Sequence, residues 1–103
     1  EQRLAARELE LSAGRDAIQA QASLSAALAG VDAQRAAASA AMLNATHASA
    51  RAQAGVSTEL QLRDAEAQRL SARLDLVDAL VDAQVAAAQL DVALGRGRVE
   101  EDR

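Results

Sequence analysis

The chain has 103 residues, a formal net charge of −4, and no Phe, Tyr, Trp, Cys or Pro. Its hydrophobic half is mainly alanine, which buries little area, so at ~25 cal/mol per Å² a compact core would be thin. The negative charge and missing aromatics exclude a general nucleic-acid surface, and the missing cysteines exclude disulfides and thiolate metal sites.

Such Ala/Leu/Arg/Glu-rich sequence suits long helices that gain stability by packing along their length with neighbours, and the chain alone is expected to be unstable. Every cation is arginine. The longest uncharged runs, 17–31 and 36–50, are rich in alanine and serine and shorter than the ~18–20 apolar residues that span a bilayer. The start at Glu1-Gln2-Arg3-Leu4 already lies inside a helical pattern, so the chain reads as an internal piece of a longer protein.

The first predicted helix covers 1–54. Leu4, Leu11 and Ile18 recur at heptad spacing; the register then shifts, and Leu24, Leu28, Val31, Ala38, Met42, Ala45 and Ala52 continue a 3.5-residue seam. From about residue 3 to 54 this helix would run ~75–80 Å at ~1.5 Å per residue. Gly14 and Gly30 weaken it without ending it.

The one clear interruption is Gly55-Val56-Ser57-Thr58. Ser57 is the expected N-cap of the next helix, and Glu59 places negative charge in its first turn. The second predicted helix, 59–94, carries two apolar seams. One is Leu60, Ala67, Leu70, Leu74, Val77, Val81 and Ala88; the other is Leu62, Leu76, Leu80, Ala83, Ala87, Leu90 and Leu94. Two residues subtend about 200° on a helix, so the seams lie on nearly opposite sides. A lone hairpin needs one seam, whereas a helix set edge-on in a wall needs two. Gly95-Arg96-Gly97 reads as a C-cap followed by a flexible, charged tail over 95–103. The fold class is therefore all-α, a long antiparallel helical hairpin of coiled-coil type.

Three segments carry a resemblance: Arg51-Ala52-Gln53-Ala54-Gly55-Val56-Ser57-Thr58, Leu60-Gln61-Leu62-Arg63-Asp64-Ala65, and Val92-Ala93-Leu94-Gly95-Arg96-Gly97. In order and spacing they are similar to the closing segment of the TolC-type outer-membrane efflux factors. That family has an Arg-Tyr-x-x-Gly step into the helical turn, then Leu-Asp-Ala, then an Ala-Leu-Gly-Gly ending. Arg15-Asp16-Ala17-Ile18 and residues 27–35 are similar to its preceding helix. The chain departs from the pattern at Ala52, which replaces an aromatic, at Arg63, which replaces an aliphatic, and at Arg96 within the glycine run. On the resemblance, these departures imply a divergent or a clipped member.

The resemblance implies one hairpin of a trimeric α-barrel, a passive export duct in the outer membrane. This segment would lie in the periplasm, with the membrane-spanning β-strands elsewhere in the protein. It implies a homotrimer that meets a periplasmic adaptor protein and an inner-membrane transporter, with Gly55, Val56, Ser57 and Thr58 as the adaptor-contacting tip. Asp64 matches the aspartate of the Leu-Asp-Ala segment and is the candidate aperture gate, because threefold symmetry would make a carboxylate ring that attracts cations. The plainer alternative is a solvated aspartate near the positive end of its helix.

Asp75, Asp78 and Asp82 share roughly one side of the second helix. No histidine accompanies them, so a solvated or lumen-facing stripe is favoured over a metal site. His47, the single histidine, is expected on an exposed helix position. No nucleophile elbow or phosphate loop frames any residue, so no enzyme, metal or cofactor is expected. The alternatives to a duct are a structural or partner-binding antiparallel coiled coil and a periplasmic adaptor hairpin. The former would have one dominant seam and form a stable dimer. The latter would have lipoyl-like β segments on both sides.

Overall fold

The structure, a computed structural model, describes the backbone of residues 2–101 and the side-chain surroundings of residues 3–95. It is an all-α helical hairpin of two helices, α1 (Gln2–Gln53) and α2 (Glu59–Glu101), with no strand among the described residues. Alanine and leucine lead both helices, with arginine and glutamine frequent in each, and these are the residues that lose least on entering a helix.

The boundary expected after Leu94 is corrected. Gly95 does not cap α2, which continues through Glu101. A mid-helix glycine costs about 1 kcal/mol relative to alanine, too little to stop a helix of this length by itself. Of the tail expected over 95–103, residues 102 and 103 lie outside the described residues, as does Glu1 of the first helix. Gly14 and Gly30 sit inside α1.

The turn is built by its backbone. Gly55 has φ 73°, the left-handed region in which a side chain is strained. From there the Val56 N–H donates to the Arg51 carbonyl at 2.9 Å and the Gly55 N–H to the Ala52 carbonyl at 3.1 Å. That pair of bonds is a Schellman closure, which satisfies carbonyls the helix end leaves free.

α2 opens on a capping box centred one residue later than the sequence suggested. The N-cap is Thr58 and not Ser57: Thr58 Oγ1 accepts from the Gln61 N–H at 3.2 Å, and Gln61 Oε1 accepts from the Thr58 N–H at 3.1 Å. The reciprocity needs Ser/Thr three residues before Glu/Gln. Thr58 has Gln61 at that distance, whereas Ser57 has Leu60. Ser57 Oγ is buried without a hydrogen-bond partner. Thr58→Ala is therefore expected to cost about 1 kcal/mol, and Ser57→Ala to cost less or to stabilise. Urea unfolding of the full chain measures both; a larger loss at Ser57 would return the cap to that residue.

The chain comprises two compact units, Ala29–Leu80 and Glu1–Leu28 with Val81–Arg103. In the first, both legs converge on the turn, and Val31, Ala45 and Ala65 are its buried apolar residues. In the second, the buried residues are Ala83, Ala86 and Ala93. On α1 the covered positions step by four and three through Ala13, Ala17, Ala20, Leu24, Ala27 and Val31, then on through Ala38, Ala41, Ala45, Ala48 and Ala52. On α2 they run Leu62, Ala65, Ala72, Leu76, Ala79, Ala83, Ala86, Leu90 and Ala93. Both are heptad seams of small residues, the pattern that lets two helices approach closely.

The expected α1 seam is accordingly corrected in part. Leu24, Val31, Ala38, Ala45 and Ala52 lie in it, but Leu4, Leu11, Ile18, Leu28 and Met42 are all at least half exposed. Ile18 stands one position, about 100°, from Ala17, which is the residue that faces inward. Leucine spacing alone misidentified the face because the partner helix is met by alanines.

Candidate functional site

At the apex, Gly55, Val56 and Thr58 are exposed and Ser57 is half-buried. Val56 is 76% exposed, so the Schellman turn presents an aliphatic side chain outward in place of the usual contact back onto its helix. A Glu59–Arg63 ion pair at 3.0 Å lies beside it, with both side chains largely in solvent. Its geometry is the favourable i, i+4 order, worth only a few tenths of a kcal/mol.

Asp64 is exposed on α2 and lines an open cleft of about 280 Å³ with Asn44, Arg51, Ser57, Gln61 and Gln68. Among the described residues Asp64 has no ion-pair partner within 4.0 Å; the pair that forms is Glu59–Arg63. The cleft therefore brings the candidate gate residue together with one tip residue, Ser57. Its other candidate tip residues, Gly55, Val56 and Thr58, do not line it.

Asp75, Asp78 and Asp82 are exposed. Their spacing with Gln61, Asp64, Gln68 and Ser71 places all seven along one flank of α2 in heptad register. No cluster of three His, Cys, Asp or Glu side chains suited to a metal exists among the described residues. His47 is exposed on α1. Its neighbour Thr46 donates its hydroxyl to the Met42 carbonyl at 3.0 Å, the local back-bond a mid-helix threonine makes.

The two seams of α2 separate cleanly. In the second, Leu62, Leu76, Ala87 and Leu90 are half-buried, Ala83 is buried, and Leu80 and Leu94 sit at its exposed edge. The first, from Leu60 through Ala67, Leu70, Leu74, Val77, Val81 and Ala88, is exposed throughout. Val85 and Val92 extend it, at 50% and 54% exposure. Sequence reading missed these two because it followed a heptad. They also line an open groove of about 720 Å³ with Leu9, Ala13, Ala88 and Ala93.

The surface total points the same way. The chain exposes 8051 Å², whereas a compact monomer of its 10.6 kDa mass would expose about 5,500 Å². The excess, about 2,600 Å², is what two helices packed only on each other leave exposed beyond a compact fold of equal mass. No helix among the described residues is long and apolar enough to cross a membrane. Compared with known proteins, the chain matches no protein-family model, no curated protein and no solved structure.

Proposed function

We propose that the chain is a wall segment of a helical tunnel, the periplasmic part of a trimeric outer-membrane efflux duct of the TolC type. It acts passively, with the 55–58 turn meeting a periplasmic adaptor that links it to an inner-membrane transporter. The observation that carries the reading is the apolar stripe on α2, exposed on the side away from the hairpin's own seam. A hairpin that works alone has no use for a second stripe, and a helix between two neighbours requires it. The turn and its flanking residues supply the choice of wall, through the resemblance they carry.

Exposed and without an ion pair among the described residues, Asp64 is the gate residue of this reading. In the full-length channel, Asp64→Asn is expected to weaken block by multivalent cations several-fold, because it removes the carboxylates that concentrate cations at the aperture. Single-channel recording in planar bilayers measures this. Unchanged block would remove the gate, and absence of any conductance from the unsubstituted protein would remove the duct. A partner-binding antiparallel coiled coil is the second reading, favoured by the regular inner seam. It requires a stable dimer that conducts nothing.

A further inference from the structure

We infer that a second copy of this chain packs on the outer face of α2 along a line that winds in the opposite sense to the hairpin's own seam. The inference takes the neighbour's identity from the wall reading and adds how that neighbour lies.

Two periodicities coexist on α2. The inner seam keeps a seven-residue repeat, so Leu62, Leu76, Ala83 and Leu90 occupy one heptad position. The exposed stripe keeps an eleven-residue repeat: Leu70, Val81 and Val92 are eleven apart, and Leu74 and Val85 hold a common offset between them. Had the stripe followed the heptad of Leu70 and Val77, its next members would be Gln84 and Asp91. Both are polar, and the aliphatic side chains stand one position further on.

A seven-residue repeat is about 3.5 residues per turn and winds left-handed against the helix, whereas eleven is about 3.67 and winds right-handed. Between Leu70 and Val92 the two lines diverge by about 100° around α2. The stripe therefore moves from the back of the helix into the groove beside Leu9 and Ala13.

A second copy is the occupant the surface supports. An obligate self-association buries about 2,000–5,000 Å² in total, and the excess of about 2,600 Å² per chain accommodates such an interface. The groove is lined by alanine, serine and single aliphatic residues together with Asp16, Gln19 and Gln89, and its many small side chains admit an alanine-rich helix of this same composition at short separation.

The chain has no cysteine, so single cysteines report cleanly. Val85→Cys, Val92→Cys, Gln84→Cys and Asp91→Cys are introduced separately into the full chain. Their alkylation rates are compared across a dilution series whose oligomeric state is read by sedimentation. The expected result is at least about tenfold protection at 85 and 92 in the assembled chain, lost on dilution, with 84 and 91 reactive throughout. Protection at 84 and 91 in place of 85 and 92 overturns the inference and leaves the duct standing. A chain that stays monomeric at every concentration, or assembles with all four sites reactive, also overturns it. Protection at 85 and 92 supports the inference whatever the recording on the full-length channel shows, and only the failure of that channel to conduct removes the duct.

Discussion

Leu74→Asp combined with Val81→Asp is expected to raise the concentration at which the full chain self-associates by at least about 100-fold, a loss near 3 kcal/mol. Both side chains are about half exposed on the stripe, Leu74 at 57% and Val81 at 51%. Burying what remains of each contributes on the order of 1 kcal/mol on assembly. An aspartate in the same place replaces that gain by a desolvation cost. Neither residue faces the inner seam, so the hairpin itself keeps its contacts. His47→Asp, exposed on α1, is the matched control and should leave association within about threefold of the parent on the same scale. Sedimentation equilibrium gives the constants, and circular dichroism on the dissociated variants checks that both helices persist. If the double variant associates as the parent does, the stripe is not an interface.

The second large effect runs against the habit of treating leucines as the core. Ala45→Leu and Ala86→Leu, one in each unit, are each expected to destabilise by about 1–3 kcal/mol, because three added carbons have no room in a tightly packed seam. The two alanines are 7% and 6% exposed. Leu4→Ala, by contrast, should move stability of the unassembled chain by no more than about 0.5 kcal/mol, since Leu4 is 64% exposed. Urea midpoints at one protein concentration, low enough to suppress association, separate the two classes. If Leu4→Ala proves the costlier change, the register assigned to α1 is wrong.

These two expectations mark where sequence and structure diverge. Helix content and the break at Gly55 were legible because proline is absent and nothing else interrupts the alanine-rich periodicity. The two faces of α2 were legible too, since their leucines and valines fall on opposite sides. The facing side of α1 was not, because alanine is a good helix former at every position and carries no facial signal. A leucine-weighted reading then follows Leu4, Leu11 and Ile18, which point elsewhere. The N-cap shifted by one residue because Ser57 and Thr58 both suit the role, and only the reach of Gln61 distinguishes them. At the candidate gate, Asp64 could be placed near the turn from spacing alone. Its companions in the cleft, Asn44 and Arg51, come from α1 across the hairpin, and single-helix periodicity does not pair residues between helices.

The thinness of the alanine seam has a thermal consequence. Unfolding this chain uncovers about 7,300 Å², the difference between its 8051 Å² and about 15,400 Å² for the extended chain, where a compact protein of equal mass uncovers about 9,900 Å². The heat-capacity increment of unfolding follows the apolar part of that area. The lone hairpin is therefore left with a shallow stability curve and a broad melt. If a second copy covers the outer stripe as inferred above, up to about 2,600 Å² more leaves water on assembly, about a third of what folding covers, and that step carries its own negative heat-capacity change. On the inferred assembly, calorimetry would then show a heat of association added to a modest heat of folding, where a globular domain shows folding alone.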